Sequence, residues 1–123
     1  MGALRYFLDT YAMLEIVKCN ASYKKYLDDE LYTTILNLYE FYYNVLKDHE
    51  EKVAMEMFYR FYGFMMGIED EEIFLASSFK LQQRKQRISY VDALGYVIAR
   101  NNNMRFLTGD KEFKDMPNVE FVK

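Results

Sequence analysis

Short apolar runs alternate with longer amphipathic segments along this chain, and this alternation limits the folds that it can adopt. Apolar runs of strand length occupy residues 4–8, 31–34, 66–68, 105–108 and 119–122. Segments whose apolar residues have helical spacing lie between most of these runs. Strands that alternate with helices indicate a parallel sheet with helices on both faces. We therefore expect an α/β fold with three layers, α/β/α, around a central parallel sheet of four to five strands.

Five helices are predicted between the strands. They occupy residues 10–21, 34–46, 48–65, 70–81 and 90–101. Residues suited to cap or open them are Asp9 or Thr10, Thr34, Asp48, Asp70 and Ser89. Residues 22–30 are polar and predict a loop or a short helical piece. The sequence shows no internal repeat and no linker, so we expect one domain over residues 1–123.

Four acidic residues lie where this topology would bring them to one edge of the sheet. Asp9 and Asp110 each follow a predicted strand, and Glu40 and Asp92 lie in early turns of predicted helices. Ligands gather at the carboxyl ends of the strands in open α/β sheets. Carboxylates that meet at one point repel each other unless a cation lies between them. The four acids therefore predict a divalent-metal site, for which Mg²⁺ or Mn²⁺ is suited by its preference for oxygen ligands.

The composition excludes several other kinds of site. The only histidine, His49, lies in a charged segment that indicates an exposed helix start, so a zinc site of several His and Cys ligands is excluded within one chain. The only cysteine, Cys19, can form no internal disulfide, and we expect it to be a small core residue. A reducing, cytoplasmic setting is the simplest interpretation. No segment approaches the roughly 20 apolar residues of a membrane span.

The net charge of −3 is unevenly distributed. Residues 79–111 contain seven basic side chains and two acidic ones, Asp92 and Asp110. Such asymmetry is a sign of contact with nucleic acid, although a solvated helix face can also produce it. The candidates for substrate contact in this segment are Arg84, Lys85 and Lys111.

Four short motifs follow one another along the chain. A strand that ends in Asp followed by Thr occupies residues 6–10, and a Glu within an apolar helix occupies residues 38–40. A Ser-x-x-Asp-Ala sequence that opens a helix occupies residues 89–93, and a Thr-x-Asp after a strand, with an aromatic soon after, occupies residues 108–113. In this order and spacing, the motifs resemble those of the PIN domain, specifically the small VapC-like type. The resemblance covers essentially the whole chain.

The resemblance implies a Mg²⁺- or Mn²⁺-dependent endoribonuclease, and many such proteins are toxins that a cognate antitoxin holds inactive. The metal ligands, direct or through water, would be Asp9, Asp92 and Asp110. Glu40 would be a further ligand or would orient the attacking water. The hydroxyl groups that hold these carboxylates would be those of Thr10, Ser89 and Thr108. Lys111 would meet a phosphate of the RNA.

Simpler roles exist for each acid taken singly. Asp9 can be a helix cap, Asp92 the acidic partner of a capping box, and Asp110 a turn residue. The alternative for the whole protein is a non-catalytic interaction module on the same fold, which loss of two of the acids would have favoured. Asp115 is a fifth acid whose spacing leaves its role open.

The helices predicted over residues 34–65 carry unusually many large side chains. In residues 34–66, these side chains are Tyr39, Phe41, Tyr42, Tyr43, Phe58, Tyr59, Phe61, Tyr62, Phe64, Met65 and Met66. One buried stripe on each helix cannot absorb so many, and a surplus of exposed aromatic surface usually marks a protein interface. We expect a homodimer, or an antitoxin-binding groove formed by this helical pair, because members of the family it resembles commonly use both. The alternative is a helical pair that is buried on two sides within one chain.

Overall fold

Residues 4–123, which the computed structural model describes, form four strands, five α-helices and two 3₁₀ helices. The elements in chain order are β1 (Arg5–Leu8), α1 (Thr10–Val17), a 3₁₀ helix (Ala21–Asp28), β2 (Glu30–Tyr32), α2 (Ile35–Leu46), α3 (Glu51–Tyr62), α4 (Asp70–Gln82), α5 (Tyr90–Asn101), β3 (Arg105–Thr108), a second 3₁₀ helix (Lys111–Phe113) and β4 (Val119–Phe121). Within this part of the chain, no helix combines the length and the apolar character that crossing a membrane requires.

The four strands form one sheet in the order β2-β1-β3-β4, and all three pairings are parallel. Successive side chains of a strand point to opposite faces of the sheet. Accordingly, Tyr6 and Leu8 belong to a core cluster with α1, α2 and α3, whereas Phe7 belongs to a second cluster with α4 and α5. The predicted α/β/α architecture is thus confirmed, with helices on both faces of a four-stranded sheet.

Helix α5 lies unusually close to the sheet. Every residue from Ala93 to Ala99 is buried. Gly95 permits this approach, because a Cβ atom at this position would lie 2.7 Å from Cε1 of Phe7 and 3.2 Å from Cε1 of Phe106. The glycine in the middle of the helix is therefore explained by packing against two core rings, which outweighs its low helix propensity.

The predicted strand at residues 66–68 does not form. Met65 makes a single parallel bridge to Thr33, supported by hydrogen bonds from the Thr33 amide to the Phe64 carbonyl and from the Met66 amide to the Thr33 carbonyl. The chain then leaves the edge of the sheet, because Glu69 already caps α4 in a reciprocal capping box with Glu72. The sheet has four strands for this reason.

Several helix boundaries also differ from the prediction. Helix α1 ends at Val17, where the chain turns through Cys19, whose φ is 61°. Cys19 is exposed, so the expectation of a core cysteine was wrong. Helix α3 begins at Glu51, later than predicted. The N-cap of α4 is Glu69, whereas the prediction gave this role to Asp70.

The strand order places a crevice at the carboxyl ends of β1 and β3. From β1 the chain passes to β2 on one side, and it later returns to β3 on the other side of β1. In open α/β sheets, ligands bind at such a switch in strand order. The Thr33 hydroxyl donates to the Leu8 carbonyl at 2.8 Å and joins the ends of β1 and β2 at the same edge. Asp9 and Asp110 follow β1 and β3 at this edge.

Candidate functional site

Asp9 directly follows β1, at the switch in strand order. It is 2% exposed. Its Oδ1 accepts a hydrogen bond of 2.8 Å from the Ala12 amide and so caps α1, and its Oδ2 accepts from the Thr108 hydroxyl at the end of β3. The carboxylate is therefore fixed by two neighbouring elements and has little freedom to reorient.

The electrostatic surroundings of Asp9 oppose its ionisation. Burial raises the pKa of its carboxyl group from 3.8 to about 8, and the charges of Asp92 and Asp110 act in the same direction. The hydrogen bonds from Thr108 and Ala12 favour the ionised form but do not offset these effects. Capping α1 does not require burial, because N-cap carboxylates function at helix ends in contact with water. The cap alone therefore does not explain this environment.

Asp92 lies in the first turn of α5, where the Ser89 hydroxyl caps the helix by accepting from the Asp92 amide at 3.1 Å. Burial raises the pKa of Asp92 to about 6, and the charges of Glu40 and Asp110 contribute to the rise. The structure thus brings Asp9, Glu40, Asp92 and Asp110 into mutual electrostatic influence. These four residues are called the acidic cluster below.

Glu40 lies in the second turn of α2 and is held by α1. The Thr10 hydroxyl donates to Glu40 Oε1 at 2.8 Å. Asn37, which is 1% exposed, connects this pair to the start of α2. Its Nδ2 donates to Thr10 Oγ1 at 3.4 Å, and its Oδ1 accepts from the Thr34 hydroxyl at 2.7 Å. Buried polar groups that are fully hydrogen-bonded rigidify a site, so this network fixes Glu40 relative to Asp9.

Asn37 and Thr33 are buried polar residues that hold the site together and that the sequence interpretation missed. Asn37 is a buried polar residue in an otherwise apolar stretch of α2, three positions after the capping residue Thr34. A polar residue at an inward position of an amphipathic helix was the available signal. It was not decisive, because Asn37 also lies in the first turn, where polar residues are ordinary.

Asp110 is coupled to Asp9 through one side chain. Thr108 Oγ1 accepts from the Asp110 amide at 3.0 Å while its hydroxyl donates to Asp9. Asp110 Oδ1 in turn accepts from the Glu112 amide at 3.0 Å and caps the second 3₁₀ helix. The side chain of Thr108 therefore sets the relative positions of the loop after β3 and the carboxylate after β1.

No basic side chain neutralises the acidic cluster in the described part of the chain. The ion pairs formed by residues 4–123 join Arg5 to Glu30, Lys18 to Glu15 and Arg105 to Glu120, all outside the cluster. Repelling carboxylates without a cationic partner favour the binding of a cation from solution.

The donor set fits a hard cation better than a soft one, but it does not form a complete cage. Within residues 4–123, no three His, Cys, Asp or Glu side chains are placed so that they could hold a metal ion among themselves. Mg²⁺ does not require such a cage, because it usually keeps several waters and is bound through one or two carboxylates together with substrate phosphates. The carboxylates of the acidic cluster are compatible with that mode of binding.

The predicted substrate-contacting residues are exposed. Lys111 follows Asp110 directly at the rim of the site. Arg84 and Lys85 lie in the turn between α4 and α5, and Arg84 Nη1 donates to the Leu81 carbonyl at 3.3 Å. Asp115 is exposed as well, and it is not among the charges that raise the pKa of Asp9 or Asp92. We therefore place Asp115 outside the acidic cluster.

Comparisons with known proteins agree with this architecture. VapC20 of Mycobacterium tuberculosis, described as a sarcin–ricin loop cleaving toxin, superposes with a TM-score of 0.79 at 15% identity over 96% of this chain and 99% of the other. VapBC2 of Rickettsia felis, bound to a promoter DNA fragment, gives a TM-score of 0.74 at 21% identity over 97% and 98%. A toxin–antitoxin complex from Klebsiella pneumoniae gives 0.71 at 14% identity over 94% and 95%.

Sequence comparison identifies the family. No curated protein sequence matches this chain significantly. The family model of the PIN domain, however, matches residues 6–119, which include all four strands except the first residue of β1 and the last two of β4. The matched segment contains every member of the acidic cluster. The chain belongs to the PIN domain family.

Proposed function

We propose that this protein is an endoribonuclease that depends on Mg²⁺ or Mn²⁺. The observation that supports this most strongly is the buried carboxyl group of Asp9, which Asp92 and Asp110 repel and no described basic side chain neutralises. The similarity to VapC20, described as a toxin that cleaves the sarcin–ricin loop, supports the same class of reaction. The sequence motifs and the electrostatics of the acidic cluster both support this proposal.

In this proposal Asp9, Asp92 and Asp110 hold the cation, and at least one of them acts through water, because no three acidic side chains of residues 4–123 are placed to bind one ion directly. When bound, the cation supplies a Lewis acid that stabilises charge on the phosphate oxygens and lowers the pKa of a coordinated water. The Thr108 hydroxyl and the Ala12 amide keep the Asp9 carboxylate in place, so little reorganisation is needed on binding.

Glu40 is proposed to act on the attacking water. The Thr10 hydroxyl occupies its Oε1 at 2.8 Å and leaves the other carboxylate oxygen available. That oxygen can accept a proton from a water whose oxygen attacks phosphorus. The bond from phosphorus to the leaving ribose oxygen then breaks, and this oxygen takes up a proton from solvent. Lys111, which follows Asp110, is proposed to pair with a phosphate, and Arg84 and Lys85 are proposed to contact the RNA backbone farther along.

Removal of divalent cations is expected to stop cleavage. Single-stranded RNA incubated with the protein should be cut in Mg²⁺ or Mn²⁺, remain intact in EDTA, and be cut again when excess Mg²⁺ is added. Gel analysis of a labelled RNA measures all three states. Asp115→Asn is the matched control, because it removes an exposed carboxylate outside the acidic cluster and should retain the parent rate within about twofold. Cleavage that persists in EDTA would contradict a cation-dependent mechanism.

The alternative function is a non-catalytic module that uses the same fold to bind a partner. It predicts no cleavage in any divalent cation, even though the protein is folded and binds RNA or protein. The same experiment separates the two functions, provided that circular dichroism shows the fold and a binding assay accompanies the cleavage assay.

We also propose that α2 and α3 form an association surface. Phe41 and Phe61 are buried, but Tyr39 is 72% exposed and Tyr59 is 59% exposed. The surplus of aromatic side chains is therefore not absorbed by the core of one chain. It surrounds a groove of about 430 Å³ whose lining residues are Ile35, Tyr39, Tyr42, Glu51, Met55, Phe58 and Tyr59. An apolar groove with exposed aromatics is typical of a protein interface. The partner is proposed to be a second copy of this chain or an antitoxin, and the toxin–antitoxin complex among the similar structures supports the latter.

Substitution of Met55 tests the association surface. Met55 lines the groove and is 43% exposed, so Met55→Glu introduces a charge at the interface without disturbing the core. If the wild-type protein is a dimer in light scattering, this variant should be a monomer at the same concentration. Phe74→Glu is the control, because Phe74 is 68% exposed on α4. If Phe74→Glu disrupts the dimer and Met55→Glu leaves it intact, the interface lies on α4 instead.

A further inference from the structure

A small cavity lies on the surface of α2, beside the acidic cluster. Its lining residues are Tyr39, Glu40 and Tyr43, and its volume is about 210 Å³. Tyr39 and Tyr43 are four residues apart, so their rings lie on the same face of the helix. They are 72% and 60% exposed. Two accessible aromatic rings thus form a cleft that shares a side chain, Glu40, with the candidate active site.

The cleft has the size and chemistry of a site for one planar ring. Pockets for drug-sized ligands usually have volumes of about 300–1,000 Å³, and this cavity is smaller. Every nucleobase has a π-face that stacks on aromatic side chains, and proteins use tyrosines for this purpose when they bind single-stranded RNA. A cation is also close, because Lys47 Nζ lies 5.2 Å from the centroid of the Tyr43 ring. Lys47 is exposed and can pair with a phosphate next to a stacked base.

The cleft overlaps the proposed association groove only at Tyr39. Tyr39 lines both, but Tyr43 and Glu40 line the cleft alone, whereas Met55 and Tyr59 line the groove. A protein partner seated in the groove would therefore not need Tyr43. The charge of Lys47 and the position next to Glu40 favour RNA over a protein as the occupant of the cleft.

We propose that Tyr43, with Tyr39, stacks an unpaired base of the RNA substrate and thereby positions the neighbouring phosphate at the acidic cluster. This inference rests on the proposed function and specifies its substrate as single-stranded. Bases in an RNA helix are stacked on each other and cannot enter such a cleft. Tyr43 is assigned to substrate binding, and it has no part in proton transfer.

The binding experiment uses a short, fluorescently labelled single-stranded oligoribonucleotide of mixed sequence and the Asp9→Asn protein, which is expected not to cleave it. In this background Tyr43→Ala should weaken binding roughly tenfold, because stacking of one base on an aromatic ring is lost. Tyr43→Phe keeps the ring and should bind within about twofold of the parent. Tyr62→Ala is the matched control, because it removes a tyrosine that is 47% exposed on α3 and lines neither the cleft nor the groove.

A kinetic experiment in the protein with Asp9 intact gives a second readout. Tyr43→Ala should raise KM for the single-stranded RNA while kcat stays within about twofold, as expected for loss of uniform binding. An oligonucleotide with an abasic position at the stacked base should abolish the difference between the parent and the Tyr43→Ala variant. A duplex RNA should be insensitive to the substitution.

The outcomes separate this inference from the proposed function. If RNA binding depends on the Tyr43 ring but the protein with Asp9 intact cleaves in neither Mg²⁺ nor Mn²⁺, the stacking site is supported and the nuclease is overturned. Cleavage with the same KM in the parent and in Tyr43→Ala would overturn the stacking site alone. The stacking site is also overturned if no RNA binds, if Tyr43→Phe binds as weakly as Tyr43→Ala, or if Tyr43→Ala disrupts protein association and leaves RNA affinity unchanged.

Discussion

The Asp9→Asn variant is expected to lose RNA cleavage by at least about a thousandfold while the metal-free protein becomes more stable at pH 7. The substitution removes the carboxylate that Asp92 and Asp110 repel and leaves a side chain of the same shape. Asn caps helices as well as Asp, so α1 keeps its hydrogen bond from the Ala12 amide. One contact changes, because Thr108 loses its carboxylate acceptor, and this costs about 1 kcal/mol. Initial cleavage rates of the parent and the variant in Mg²⁺ measure the loss of activity.

The gain in stability has a defined pH dependence. In the folded, metal-free protein the pKa of Asp9 is raised from 3.8 to about 8, chiefly by burial, so folding favours its neutral form. Well below pH 4 the group is neutral in both the folded and the unfolded state and does not destabilise the fold. As the pH rises from 4 to 8, the unfolded chain releases this proton before the folded chain does. The free energy of unfolding therefore falls by on the order of several kcal/mol. Asp9→Asn has no such proton, so it should lack this part of the decline and keep only the smaller part caused by Asp92, whose pKa is raised to about 6.

Chemical denaturation in EDTA at pH 4, 6 and 8 measures this difference. At pH 4 the variant is expected to be equally or slightly less stable than the parent, and at pH 8 it should be clearly more stable. Asp115→Asn removes an exposed carboxylate and should follow the parent at each pH. A constant difference between Asp9→Asn and the parent across this range would show that Asp9 is not held in an environment that opposes its charge. Cleavage by Asp9→Asn at the parent rate would remove Asp9 from the mechanism.

Much of the fold could be predicted from the sequence because its signals are local. The strand at residues 105–108 has the predicted bounds, since a short apolar run follows a helix stop at Asn101 to Asn103. Helix α5 begins after Ser89 as predicted, because the capping residue and the apolar spacing agree. These elements are specified by residues adjacent in sequence, and tertiary contacts do not override them.

The errors fall where structure depends on distant partners. Residues 66–68 are as apolar as a strand, but a strand also needs a partner, and the edge of the sheet offers only the bridge from Met65 to Thr33. The end of α1 was placed too late because Cys19 takes a positive φ that usually marks Gly or Asn. A side chain with no intrinsic preference for that conformation gives no warning in the sequence.

The candidate site shows the same division. The order of the motifs singles out four acids whose role as site residues stays a prediction, and the strand order explains why Asp9 and Asp110 lie at the same edge of the sheet. The hydrogen-bond network from Thr34 through Asn37 to Thr10 could not be predicted, because it depends on how α1 packs against α2. The burial of Asp9 also depends on the surrounding elements, and burial rather than motif membership opposes its charge.

Gly109→Ala is expected to damage both the fold and the site. A Cβ atom at this position would collide with the ring of Tyr11 and with the backbone carbonyl oxygen of Val122. The ring can shift, but the carbonyl belongs to the chain segment after β4, where the Val122 amide donates to the Thr108 carbonyl at 2.8 Å. The new methyl group therefore pushes apart β3 and the segment that follows β4. Overpacking of this kind costs about 1–3 kcal/mol, which chemical denaturation measures.

Activity should fall further than stability alone would require. Gly109 lies between Thr108, which donates to Asp9, and Asp110, so a displacement at this residue moves two connections of the acidic cluster together. Misplacement of catalytic groups by about 1 Å can reduce a rate about a hundredfold, and we expect a loss of that order in Mg²⁺ at a temperature where the variant is folded. Gly63→Ala is the control, since a Cβ atom there meets nothing within 4 Å and the residue has a helical φ of −70°.

A second substitution separates the two collisions. Tyr11→Ala combined with Gly109→Ala removes the clash with the ring but leaves the clash with the Val122 carbonyl. Stability should therefore recover only in part, and cleavage should stay low if the backbone of the Thr108–Asp110 loop remains displaced. Full recovery of both would show that the ring alone is obstructed and that the approach of Val122 does not position the acids. A Gly109→Ala protein as stable and as active as Gly63→Ala would show that the loop after β3 tolerates a side chain and that the close packing at Gly109 has no role in the site.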